Sequence, residues 1–129
     1  MRKISLIIDQ IAHCKELIKK DEISYLRMAL ILLDNAAEVL MQRKVEEEFS
    51  WEDFRKPWQE NAKKLNFPIT DPLSRPLTSD KKRKKIESYF DEKAKFLSKE
   101  KGLIDPSVAQ VLKILHRYRN EVFHRDIVM

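Results

Sequence analysis

Apolar residues recur along this chain at three- and four-residue steps, the spacing of a helix face. From about Ile4 to Lys20 the series is Ile4, Ile7, Ile8, Ile11, Cys14, Leu17 and Ile18. A second helix is predicted from about Ile23 to Phe49. Its middle, Met28 to Leu33 followed by Ala36, Ala37, Val39, Leu40 and Met41, leaves little polar surface. That is the pattern of a central helix with neighbours on most sides. Asp34, Asn35 and Glu38 interrupt it, and Asp34 and Glu38 are four apart on one face. A third segment, Ser50 to Phe67, carries Trp51, Phe54, Trp58, Leu65 and Phe67, with Pro57 expected to bend or split it. Pro68, Pro72 and Pro76 mark a loop.

Thr78-Ser79-Asp80 reads as the start of a fourth helix, about Lys81 to Lys101, with Ile86, Tyr89, Phe90, Phe96 and Leu97 as its stripe and Gly102 as its stop. The fifth begins with Asp105 as N-cap and Pro106 as first helical residue. Val108, Val111, Leu112, Leu115 and Val122 are its expected buried face. This helix continues to the last residue, the pattern also of a C-terminally truncated chain. The expectation is an all-α fold, one domain spanning residues 1–129, built as an antiparallel bundle of four to five helices with no strand.

Composition narrows the function classes. A chain of 129 residues fits one domain with a core of its own. The single Gly excludes glycine-rich phosphate loops, and the single Cys excludes a disulfide framework or a multi-thiolate zinc site. A net charge of +5 permits a polyanionic partner without requiring one. The apolar runs are far shorter than a membrane span, and the N-terminus is a poor secretory signal. With a free thiol, this points to the cytoplasm and to no membrane partner.

The candidate chemistry lies in His116 to Asp126. On a helical wheel centred on Leu115, Arg119 falls inside the apolar arc at roughly 40°. Lys113, Arg117, Asn120 and His124 gather on the other side at roughly 140–200°. A permanent cation facing the core needs an acidic partner or a wet cleft, and Asp34 and Glu38 on the central helix are the acids positioned to supply one. Asn120 and His124 stack one turn apart, whereas Arg119 and His124 converge only through side-chain reach, helix distortion or a second subunit.

Arg119-Asn120-x-x-x-His124 resembles the R-x(4–6)-H motif of HEPN domains, with its usual polar residue after the Arg. The all-α pattern, the motif's place on the last helix and the patch Leu33-Asp34-Asn35-Ala36-Ala37-Glu38 in a long apolar helix are similar to that family too. The resemblance implies a HEPN-like homodimer acting on RNA as a ribonuclease that needs no metal or cofactor. His124 would be acid and base, Arg119 would hold the scissile phosphate and Asn120 would orient one of them. It also implies a toxin–antitoxin or phage-defence role, with an antitoxin protein as partner. Asp126 stands where many such toxins carry Tyr, and is available to orient His124 or pair with Arg125.

The chemistry is coherent on its own terms. Attack of a 2′-hydroxyl on the adjacent phosphate needs a proton acceptor, a proton donor and charge stabilisation. Imidazole supplies the first two and guanidinium the third, giving a 2′,3′-cyclic phosphate and a 5′-hydroxyl. The plain alternative is a non-catalytic helical dimerisation or protein-interaction module in which Arg119 locks an ion pair and His124 is a surface histidine. His13 and His116 carry no motif and read as structural. No metal site is expected, since no His-x-x-x-His pair occurs. Lys81, Lys82, Arg83, Lys84 and Lys85, with Arg117, are candidates for gripping an RNA backbone, or a solvated helix start. Trp51 and Trp58 read as core or dimer contacts rather than base-stacking platforms.

Overall fold

The computed structural model describes the backbone of residues 2–19 and 23–128 and the side chains of residues 5–19 and 23–121. The chain is all-α: α1 (Arg2–Lys19), α2 (Ile23–Lys64), α3 (Asp80–Ser88), α4 (Phe90–Lys95), a π-helical turn (Phe96–Glu100) and α5 (Pro106–Val128). No strand occurs among the described residues. No helix there is long and apolar enough to cross a membrane.

The two segments expected on either side of Ser50 are one helix. α2 runs unbroken for 42 residues, roughly 63 Å, with Pro57 inside it. The proline is tolerated because the end of the helix is held from outside. Gln59 Nε2 donates to the carbonyls of Leu73 and Arg75, both at 2.7 Å, and Arg55 donates to that of Pro76. Asn66, at φ 53°, closes the helix as its left-handed C-terminal residue. Phe67 N–H returns to the Ala62 carbonyl and Asn66 N–H to that of Lys63, the paired bonds of a Schellman motif.

The expected single fourth helix is broken instead. Tyr89 is extended, at φ −124° and ψ 131°, and separates α3 from α4. The break turns Phe90 inward. Ser79 caps α3 as expected, accepting from Lys82 N–H, and Asp105 caps α5, accepting from the N–H and hydroxyl of Ser107.

Two apolar clusters hold the bundle. The larger joins Met41, Val45 and Phe49 of α2 to Ile86, Phe90, Ala94, Phe96, Leu97 and Ala109. The smaller joins Cys14, Leu17 and Ala29. α5 is rotated from the expected orientation. Ala109, Leu112, Leu115, His116, Arg119 and Asn120 face inward, while Val108 and Val111 are exposed. Val122 has its side chain outside the described residues. Apolar residues cover so much of this helix that their spacing alone does not choose the face; the polar partners described below do. Trp51 and Trp58 are also exposed, at 56% and 54%, so the expected core role is corrected for both.

A buried carboxylate anchors the far end of the fold. Glu52 is fully buried and accepts from the N–H and hydroxyl of Thr78, at 2.6 and 2.7 Å, and from Arg83 at 3.3 Å. Lys101 lies 3.9 Å away. Replacing Glu52 with Ala leaves Arg83 and the Thr78 N–H without this acceptor, a loss expected on the order of 3 kcal/mol in denaturant unfolding. The Asp105 carboxyl is held below its usual range, first by the Ser107 hydroxyl and then by the Ser107 N–H. Its contribution is therefore complete above the ordinary aspartate range and lost as pH falls through the depressed value. Asp105→Ala should lower the unfolding midpoint at neutral pH, with the difference from wild type closing in strong acid.

Candidate functional site

Between the two apolar clusters, α2 presents Asp34 to α5. Its carboxylate is fully buried, so its charge must be met by protein groups. Two side chains one turn apart on α5 do this. His116 Nδ1 lies 3.0 and 3.1 Å from the two carboxylate oxygens. Arg119 Nε lies 3.3 Å from Oδ2. Arg119 Nη2 donates to Asn35 Oδ1 at 3.2 Å, and Nη1 to Asn120 Oδ1 at 2.9 Å. Asn120 Nδ2 comes back to His116 Nε2 at 3.4 Å, closing the ring of contacts.

The donor and acceptor order follows from the one member that only donates. Arginine has no acceptor, so the Asn120 oxygen faces Arg119 and the Asn120 amide nitrogen faces His116. His116 Nε2 therefore accepts, the ring proton sits on Nδ1, and Nδ1–H donates to Asp34. The imidazole is neutral in this arrangement. Its ring lies flat on Phe90, centroids 3.9 Å apart and planes 2° apart, an arrangement made by the break at Tyr89. The Arg119 side chain stays 27% exposed and the His116 side chain 20%. Among the described residues the guanidinium meets Asp34, Asn35 and Asn120.

Of the sequence candidates, Arg119, Asn120 and Asp34 are brought together. Asn120 was expected on the face away from Arg119, and the rotation of α5 brings it inward. Glu38 lies one turn beyond Asp34, half-buried, on a groove of about 880 Å³ that Asn35 also lines. His124 falls on α5, but its side chain is outside the described residues. The basic run divides. Arg83 is tied to Glu52 and Asp53, Lys82 pairs with Glu100 and Lys85 with Glu92, while Lys81, Lys84 and Arg117 are exposed. His116 was read as structural, and it bonds Asp34 and stacks on Phe90 within the same cluster. The signal available was its three-residue spacing from Arg119, which the motif did not cover.

Asp34, Glu38 and His116 offer ligand atoms within 4.8 Å of one another. Their chemistry favours hydrogen bonding over a cation. Both Asp34 oxygens already face His116 Nδ1, and the Arg119 guanidinium stands 3.3 Å from the same carboxylate, where it opposes a second positive charge.

No protein-family model, curated protein or solved structure matches this chain.

A double-mutant cycle of Asp34→Asn and Arg119→Met should give a coupling of about 1–3 kcal/mol in denaturant unfolding. A coupling near zero would remove the ion pair from the folded protein in solution.

Proposed function

We propose that this protein is a metal-independent endoribonuclease of the HEPN type, working as a homodimer in the cytoplasm, and that it serves as a toxin or phage-defence component with an antitoxin protein as partner. The supporting observation is the state of Arg119. The motif arginine rests on the acidic patch of the central helix, held by Asp34, Asn35 and Asn120, with its side chain 27% exposed. A guanidinium oriented in this way and still partly exposed suits a transferring phosphate better than a free surface arginine does.

In this reading Arg119 binds the scissile phosphate, Asn120 fixes its orientation and His124, one turn on, moves the protons. The 2′-hydroxyl gives its proton to one imidazole, its oxygen attacks phosphorus, and the departing 5′-oxygen takes a proton from the other imidazole of the dimer. The products are a 2′,3′-cyclic phosphate and a 5′-hydroxyl. Exposed Lys81, Lys84 and Arg117 suit contacts to the RNA backbone. The biological role follows from the motif resemblance.

A second reading has its own support. Leu33, Val39 and Leu40 of α2 and Val108, Val111 and Ile114 of α5 are exposed. Apolar faces of this kind also suit a helical interaction module without catalysis, in which Arg119 only locks the bundle.

Purified protein incubated with RNA separates the two. His124→Ala should reduce cleavage by a factor on the order of 10²–10⁴ while its circular dichroism and oligomeric state match wild type. Cleavage should survive a chelator and leave cyclic phosphate ends. Full activity in the His124→Ala protein refutes the assignment.

A further inference from the structure

The nuclease reading uses Arg119, Asn120 and His124 and leaves His116 without a task. Yet His116 joins two members of the cluster, Asp34 and Asn120. It bonds Asp34 through Nδ1, meets Asn120 through Nε2, and borders a cavity of about 330 Å³ lined by Tyr89, Phe90, Asp91 and Glu92. Helix packing alone needs neither nitrogen, since the flat contact on Phe90 uses only the ring face.

We infer that His116 is a positioning residue for Arg119: its neutral imidazole holds the Asn120 carboxamide with the oxygen toward the guanidinium, and protonation of Nε2 reverses that carboxamide and releases the contact. The chain of bonds has one direction. Arg119 Nη1 donates to Asn120 Oδ1, Asn120 Nδ2 donates to His116 Nε2, and Nδ1–H donates to Asp34. A proton on Nε2 sets donor against donor at the Asn120 amide. Turning the amide relieves that clash but points its NH₂ at a guanidinium that also only donates. Arg119 then keeps Asp34 and Asn35 and loses the Asn120 contact at 2.9 Å.

The groups around the imidazole bear on its proton in both directions. Asp34 and Glu38 on α2 and Asp91 and Glu92 on α4 favour the charged ring; Arg119 on α5 opposes it. The catalytic consequence rests on the nuclease reading, whereas the bond reversal belongs to the folded protein itself.

Two variants and one spectroscopic titration test this. His116→Gln carries an acceptor to the Nε2 position that no proton can remove. It should keep most of the neutral-pH rate, and the acid limb of its kcat/KM profile should be shallower by one proton. His116→Phe keeps the ring on Phe90 and loses both nitrogens, so kcat should fall on the order of ten- to a hundredfold with KM changing less. In nitrogen-15 spectra of the wild type, His116 should carry its proton on Nδ1 at neutral pH. The Asn120 amide and Arg119 Nε resonances should shift with the same midpoint as His116, and should stay still in His116→Gln. A proton found on Nε2 at neutral pH, or Asn120 and Arg119 resonances that do not move as His116 titrates, overturns the inference. So does an acid limb identical in wild type and His116→Gln. Absence of RNA cleavage by the wild type defeats the nuclease reading instead, and the spectra then decide the bond reversal alone.

Discussion

A carboxylate sealed from water has to find its counter-charge inside the protein, and Asp34 is such a carboxylate. Desolvating it unpaired is prohibitive, so α5 docks with His116 and Arg119 against it. This one requirement sets much of the rest. It fixes the rotation of α5, because only one azimuth brings both side chains to α2. It leaves Val108 and Val111 outside and Asn120 inside, against the simplest hydrophobic count. It also explains how an arginine comes to lie on an inward face at all.

The apolar packing cooperates with that constraint without dictating it. Leu112 and Ala109 join the larger cluster on the same side of α5 that carries His116. Phe90 belongs both to that cluster and to the site, with one face of its ring against the imidazole. A core residue thus sets the height and tilt of a group with chemical potential. Few rotamers of His116 satisfy Phe90 and Asp34 together, and this is how a bundle of ordinary helices holds an imidazole still.

Much of this was legible in the residue pattern. The all-α class follows from the three- and four-residue spacing. The start of α5 is written in Asp105-Pro106, and the need of Arg119 for an acid of α2, Asp34 or Glu38, follows from the cost of a core-facing cation. Other features were not legible, for identifiable reasons. Pro57 carries the usual sign of a broken helix, yet α2 continues, because the bonds from Gln59 and Arg55 to a distant loop are tertiary. The break at Tyr89 has no Pro or Gly to announce it. His116 lies outside the six-residue motif, and its importance emerges only when α2, α4 and α5 are brought together. Trp51 and Trp58 look like core residues by type, but they lie on the outer face of α2, whose packed face there carries Phe49, Glu52, Arg55 and Ala62.

The continuity of α2 has one more consequence. Its two fully buried acids, Asp34 and Glu52, are eighteen residues apart, which is five whole helical turns and about 27 Å. They therefore point in the same direction from one rigid rod, with Pro57 lying beyond both. The rod acts as an axle with two keys cut at one angle: its rotational setting in the lock at Glu52 is also its setting in the lock at Asp34. Residues on the remote side of the molecule, in the Thr78 turn and on Arg83, thereby share in aligning a guanidinium they never touch.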